Sequence, residues 1–281
     1  MKLNILSTFS LALLVLFSCQ TPAPAKKEKP QKQAQEKLPK EEQANEASPK
    51  DTAVLISGAD SILISKRKVV DKWDKEWSSV VYQFYNEANS LTKWQKAIND
   101  FIRKSLYRPM DTEPYPGPLN EALIKRSLQA FKKEARQDDI TVWSMTDTFK
   151  IDDHYTTFAA LRYYNAENTG GAHGMYGMGY YYFDKTTGKE LKLKDLLRVD
   201  ETLLKLAESV FRKTVGIGAT IPFEKTEYSF GGKFYLPDNF EMTAQGIRFT
   251  YNPYEVSNWA NGIVEFVLPI RQLKPYLKRE I

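Results

Sequence analysis

Residues 175–197 read MYGMGYYYFDKTTGKELKLKDLL, and their order decides the fold. Met175 to Phe183 is rich in tyrosine and reads as a strand. Asp184 to Gly188 (DKTTG) is a turn, with Gly188 supplying a positive φ. Glu190 to Leu193 completes the hairpin. Asp195-Leu196-Leu197 leads into a helix from Glu201 to Val215, with Asp200 as N-cap and Gly216 as C-cap. Leu203, Leu206, Val210 and Phe211 recur at helical spacing and form its core face. A hairpin is thus followed directly by an amphipathic helix.

The same grouping continues on both sides. Upstream, Ser61–Val70 and Trp77–Tyr85 alternate as strands. Ser90 caps a helix to about Leu106, with Leu91, Trp94, Ile98, Phe101 and Ile102 as its apolar stripe. Arg108–Pro118 is a proline-rich loop, and Asn120–Arg136 a second helix. Ile140–Ile151 and Tyr155–Tyr164 are long strands joined by a polar turn at Asp152-Asp153. Downstream come Phe240–Thr243, a Gln245-Gly246 turn, Ile247–Tyr251, Gly262–Leu268 and a short terminal helix holding Leu273, Tyr276 and Leu277. Strands and helices are grouped rather than strictly alternating. That pattern predicts an α+β fold, mainly antiparallel sheet with packed helices, in two subdomains that meet near residue 140.

At the N-terminus a basic start precedes Leu11–Phe17 (LALLVLF), a run too short to span a bilayer. Leu16-Phe17-Ser18-Cys19 looks like a lipobox, the cleavage and lipidation signal of bacterial lipoproteins. Residues 1–18 are then a signal peptide. Cys19, the one cysteine of the chain, becomes the first mature residue and carries acyl chains that hold it to a membrane. The expected location is the bacterial cell envelope, lipid-anchored, on the periplasmic or extracellular side. With no second cysteine the folded part has no disulfide and depends on an apolar core.

Residues 19–51 are mostly Lys, Glu, Gln, Ala and Pro, with no aromatic residue. Such a segment buries too little apolar surface to offset chain entropy and reads as a disordered tether. Residues 20–50 hold 7 Lys and 5 Glu; with Lys2 in the leader, +2 of the chain's +5 is left for the rest. A folded part so close to neutral does not suit nucleic acid, which asks for a concentrated basic face. The expected organisation is 52–139, a small α+β subdomain, and 140–281, a larger one.

Gly170-Gly171-Ala172-His173-Gly174, followed by Tyr180–Asp195, resembles the signature of a bacterial domain-of-unknown-function family. That family forms the extracellular part of RsiV-type anti-sigma factors and precedes the catalytic domain of PdaC-type peptidoglycan deacetylases. Asn239-Phe240, Thr243, Gly246-Ile247 and Phe249, then Tyr251-Asn252-Pro253-Tyr254-Glu255, look like its closing hairpin. Pro269 with Leu273-Lys274-Pro275-Tyr276-Leu277 looks like its terminal helix. Residues 60–140 are similar to its smaller companion domain. The resemblance implies an α+β fold and, in the RsiV type, recognition of lysozyme. Here neither a sigma-binding segment with a transmembrane helix nor a deacetylase domain is read, so a recognition module on a lipid tether is what remains.

The chemistry-bearing residues point the same way. His154 and His173 are the two histidines, and a Ser-His-Asp hydrolase would need one of them. No G-x-S-x-G elbow or HExxH helix is present, and neither a metal site nor a cofactor is implied. Gly170, Gly171 and Gly174 shape a strand entry in which His173 is expected to bond to backbone. Asp184 and Asp195 stand at a turn and a helix entry, where Asp is locally favoured. Of Tyr180, Tyr181 and Tyr182 at least one faces outward, under another element or toward a ligand. Gly170, Gly171, His173, Tyr180, Asp184 and Gly188 are therefore carried as a binding or structural motif, with no catalytic residue assigned. The expected function is a non-catalytic binding module for a lysozyme-like protein or for peptidoglycan. The alternative is a wall-active hydrolase or deacetylase-related enzyme using His173. Lysozyme of the animal type is strongly basic, so steering would need a segregated acidic patch, for which Glu227, Glu241, Glu255 and Glu265 are the candidates.

Overall fold

The strand Met175–Asp184 is covered on both faces. Its side chains alternate with a period of two, so Tyr181 and Phe183 enter one core and Tyr182 the other. A computed structural model of the chain describes residues 56–57, 62–70, 76–109, 113–135 and 143–279. The expected leader, Cys19 and tether lie outside them.

Among the described residues, two sheets form, one of seven strands and one of three. The larger runs in sequence order: β1 (Ile56–Ser57), β2 (Ile62–Val70), β3 (Glu76–Tyr85), β4 (Ser144–Asp152), β5 (Phe158–Asn168), β6 (Met175–Asp184) and β7 (Glu190–Leu191). All neighbours are antiparallel except β3 and β4, which run parallel with Val80 beside Asp147. A parallel pair needs a long crossover. Helices α1 (Lys93–Ser105) and α2 (Glu121–Ala135) lie within it and cover one face of the sheet. Strands from both sides of residue 140 thus belong to one sheet.

Under those helices, Val80, Tyr82, Phe149, Leu161 and Phe183 of the sheet meet Trp94, Ile98 and Ile102 of α1, and Ile124, Leu128 and Phe131 of α2. Asn99, fully buried on α1, clamps the end of β3: its Oδ1 accepts from the Tyr85 N–H at 2.9 Å and its Nδ2 donates to the Tyr85 carbonyl at 2.8 Å. The helix starts after Thr92 rather than Ser90. Thr92 and Gln95 form a reciprocal capping box that Ser90 has no partner to make.

The opposite face carries Phe158 and Tyr182. They pack with a short helix α3 (Leu193–Leu196), the helix α4 (Glu201–Thr214), and the small antiparallel sheet of β8 (Phe240–Thr243), β9 (Gly246–Tyr251) and β10 (Val264–Pro269). A last turn of helix, α5 (Ile270–Leu273), closes the chain against β9 and β10. Asp200 caps α4 as its sequence predicts, accepting from the Leu203 N–H at 2.9 Å. The helix ends at Thr214 with Val215 as its C-cap, and Gly216 takes the positive φ of 74° just beyond it.

Gly246 opens β9 with φ 150°, and a Cβ there would stand 2.0 Å from the Leu268 carbonyl oxygen of β10. Backbone is what it meets, so no side chain can move aside. Gly246→Ala is expected to cost up to about 3 kcal/mol of folding stability, as for other overpacked sites. Equilibrium urea unfolding checks it, and an unchanged midpoint would refute the close approach.

Candidate ligand-binding site

The turn between β5 and β6 is built by glycines. Gly170 and Gly171 have φ of 99° and 92°, a region that favours glycine. The Gly170 N–H donates to the Asn168 side chain at 3.1 Å. At Gly174 a Cβ would stand 2.8 Å from the Glu167 carbonyl oxygen. This turn delivers His173, partly buried, onto the ring of Trp259, with centroids 4.1 Å apart and planes 20° from parallel. His173 Nδ1 lies 3.0 Å from the Gly174 carbonyl, and Nε2 lies 3.1 Å from the Tyr254 hydroxyl. A carbonyl only accepts, so Nδ1 carries the proton and Nε2 accepts from Tyr254. The Trp259 indole N–H donates to the same Gly174 carbonyl at 3.0 Å. Both nitrogens of His173 are therefore engaged. His154, at the β4–β5 turn, is exposed, pairs with Asp152 and stacks on Tyr155.

Tyr254 is the one non-glycine residue among those described with a positive φ, 69°, and it is 56% exposed. A bulky side chain in that region is strained by roughly 1–3 kcal/mol and persists only where its surroundings hold it. Two asparagines do the holding. Strand β7 pairs with β6 only at Tyr182 and Phe183, which leaves main-chain groups of β6 nearer its start to other partners. Asn252 Oδ1 accepts from the Met178 N–H at 2.9 Å while its Nδ2 donates to the Met178 carbonyl at 3.1 Å. Asn239 Oδ1 accepts from the Tyr180 N–H at 3.1 Å and its Nδ2 donates to the Met178 carbonyl at 2.7 Å. These side chains stand in for a missing strand and fasten the small sheet to the edge of the large one. The turn that follows Asn252 then has to carry Tyr254.

Tyr254 and Glu255 form one wall of an open groove of 510 Å³, lined also by Glu227, Ser229, Phe230, Tyr235 and Ser257. Tyr235 is 42% exposed. Two carboxylates and two accessible aromatic rings thus share a groove whose lining contains no basic side chain. The groove desolvates the Glu255 carboxyl, which raises its pKa, while hydrogen bonds from Asn252 pull the other way. Glu241 and Glu265, the other acidic candidates, lie elsewhere: Glu241 is paired with both Arg162 and Arg248 at 2.9 Å, and Glu265 accepts from the Thr250 hydroxyl at 2.9 Å.

The other motif residues serve packing. Tyr181 packs on Phe101 of α1 at 4.1 Å and Tyr182 stacks on Phe240 at 5.0 Å. Tyr180 is half-buried beside the small sheet. Asp184 Oδ1 accepts from the Thr186 and Thr187 N–H groups at 3.1 and 2.9 Å, and Oδ2 from Arg279 at 3.1 Å. The Thr187 N–H, above all, holds its carboxyl below the usual range. Gly188, with φ 74°, lies where a Cβ would be 2.8 Å from the Lys93 carbonyl. Asp195 accepts from the Lys192 N–H and is likewise lowered. Lowered acids hold no proton to donate near neutral pH. Among the described residues no group of three His, Cys, Asp or Glu side chains converges to hold a metal, and no helix is long and apolar enough to cross a membrane.

A seven-stranded sheet covered by helices on one face and by a helix and a small sheet on the other defines an α+β protein with a lateral groove. A family model described as "Protein of unknown function (DUF3298)" matches residues 194–271, from α3 to α5. No curated protein matches the chain. The crystal structure of a DUF3298 family member from Bacteroides fragilis superposes with a TM-score of 0.63 at 20% identity, over 82% of this chain and 96% of that one. A DUF3298 family protein from Pseudomonas aeruginosa gives 0.53 at 17% identity, over 81% and 95%. The likeness is one of fold.

Proposed function

We propose that this chain is a non-catalytic binding module of the bacterial cell envelope, anchored by lipid at Cys19, whose groove beside Tyr254 takes a basic protein of the lysozyme kind. The observation that carries this reading is the strained, exposed Tyr254 in one groove with Glu227 and Glu255. Strain held at an exposed aromatic side chain is a mark of a functional site. Rigid aromatic anchors beside carboxylates that no cation of the described residues pairs with suit a ligand that brings lysine or arginine side chains. The signature's resemblance to the lysozyme-recognising family supports the same ligand, and peptidoglycan is the second candidate.

Retention of a panel of lysozymes, and of insoluble peptidoglycan, by the immobilised protein tests the proposal. Glu227 is exposed, so Glu227→Lys is expected to leave the fold intact. It should weaken lysozyme binding about tenfold or more, since a like charge set against a cationic partner costs more than a lost pair. Retention on peptidoglycan alone would move the ligand to the wall. Binding to neither would overturn the proposal.

A further inference from the structure

A second cleft lies between the proline-rich loop before α2 and α2 itself. Its volume is 580 Å³. Pro114 and Pro116 form a stiff apolar wall, and Arg126, Gln129 and Lys133, spaced along one face of α2, form the other. Tyr115 lines the cleft between them. It is only 8% exposed, and its hydroxyl is shut off from solvent with no hydrogen-bond partner. A buried donor left unpaired costs roughly 1–3 kcal/mol, so such groups call for an explanation. The Arg126 guanidinium sits over the Tyr115 ring, 4.9 Å from its centroid. Arg126 and Lys133 are both exposed, and no carboxylate of the described residues pairs with either. Of the two acidic side chains at the cleft, Glu134 already accepts from the Tyr107 hydroxyl. One residue with an orphaned, enclosed donor and two cations without a carboxylate partner thus line the same cleft.

We infer that this cleft binds the C-terminal carboxylate of a short peptide. The Tyr115 hydroxyl, enclosed while Arg126 lies over its ring, is opened when that side chain moves away and then donates to one carboxylate oxygen. Arg126, a long exposed side chain, swings off the ring to pair with the carboxylate, and Lys133 adds a second charge. The small apolar side chain of the terminal residue rests on Pro114 and Pro116. The cleft is separate from the groove beside Tyr254, so it stands or falls independently of the lysozyme reading. A carboxylate of this kind comes either from a wall stem peptide, which ends in D-alanine, or from the C-terminus of a protein.

The test is ligand-observed NMR on the full chain with N-acetyl-D-Ala-D-Ala and N-acetyl-L-Ala-L-Ala, each against its C-terminal amide. At least one free acid is expected to bind and both amides to bind at least tenfold more weakly. Preference for the D peptide assigns the source to the wall, and preference for the L peptide to a protein. Tyr115→Phe removes a single oxygen. It should weaken the free acid at least tenfold while the melting temperature holds or rises, because no existing hydrogen bond is lost. Glu227→Lys should leave peptide binding as it is. Equal binding of acid and amide, undiminished binding by Tyr115→Phe, or no binding of either acid would overturn the inference. So would a fall in melting temperature in Tyr115→Phe, which would show that the hydroxyl is already partnered.

Discussion

Phe211→Ala is expected to lower the unfolding free energy by about 3–5 kcal/mol, the range for deleting a fully buried phenylalanine. Phe211 has no exposed surface and projects from α4 into the second core. There it meets Tyr228, Phe230, Phe234 and Phe266 edge-on or tilted at 5.3–5.7 Å, and Tyr251 and Phe223 at 6.0 and 6.1 Å. The partners come from the segment between α4 and β8 and from both β9 and β10. Each is held by contacts of its own: Arg212 lies over Phe223 at 3.8 Å, and Phe249 stacks on Phe266 at 5.3 Å. The neighbours therefore cannot close on the space a deleted ring leaves, and the cavity term adds to the lost burial. Urea unfolding followed by near-ultraviolet circular dichroism measures this directly. A loss below about 1.5 kcal/mol would mean that the ring cluster collapses around the gap. The groove beside Tyr254 shares Phe230 and Tyr235 with this cluster, so the same variant should also loosen ligand binding.

The second large effect concerns Asp147, in the middle of β4 and 2% exposed under the helices. It accepts from the Tyr82 hydroxyl at 3.1 Å, the Tyr163 hydroxyl at 3.2 Å and the Asn165 amide at 2.7 Å. Asp147→Ala strands three donors in the core and should cost about 3 kcal/mol or more. Asp147→Asn keeps the shape: one side-chain oxygen still accepts, and its amide can donate to a tyrosine hydroxyl. The two variants are expected to differ widely although both remove the charge.

Their pH dependence separates charge from hydrogen bonding. Burial raises the folded-state pKa of Asp147 above its ordinary value of 3.8, against the three hydrogen bonds that pull it down. An acid raised by folding contributes most below its unfolded pKa and loses that contribution as pH rises through its folded value. Asp147→Asn has no such loss. Its stability relative to the parent should therefore climb between pH 3 and 7, since replacing a buried charge by a neutral group of the same shape is often neutral or stabilising. Parallel stability curves over that range would sink this account of the site.

Much of the fold can be read locally. The alternation of residues 175–183, the DKTTG turn and the Asp200 cap each specify an element through neighbours a few residues away, and each is present in the structure. Period and capping are short-range physics, so a single sequence displays them. The alternation of Tyr180–Tyr182 also put tyrosines on both faces of β6, the outward one under another element or toward a ligand. It did not decide between these, and α1 proves to cover one face and β8 the other.

The candidate site was less legible. His173 was visible as an isolated imidazole in a glycine turn, but Trp259, which it stacks on, lies 86 positions away, and nothing in its spacing marks it. Asn239 and Asn252 stood out only as parts of a resemblance. Their work as substitutes for a missing strand depends on β7 being too short to reach Met178 and Tyr180. The positive φ of Tyr254 breaks the rule by which sequence predicts backbone, because the usual glycine or asparagine is absent. Of the four glutamates suggested as an acidic face, only Glu227 and Glu255 share a groove; Glu241 is paired with Arg162 and Glu265 accepts from Thr250.

By itself the sequence determined an α+β chain of antiparallel hairpins and amphipathic helices, because periodicity, turns and caps act between near neighbours. The tertiary structure alone decided that β3 and β4 pair in parallel across the two-helix crossover. It alone brought Tyr82 to Asp147 across 65 positions and gathered Tyr254 and two carboxylates into one groove. Those arrangements depend on which distant faces bury each other, and burial is a property of the whole packed chain rather than of any stretch of it.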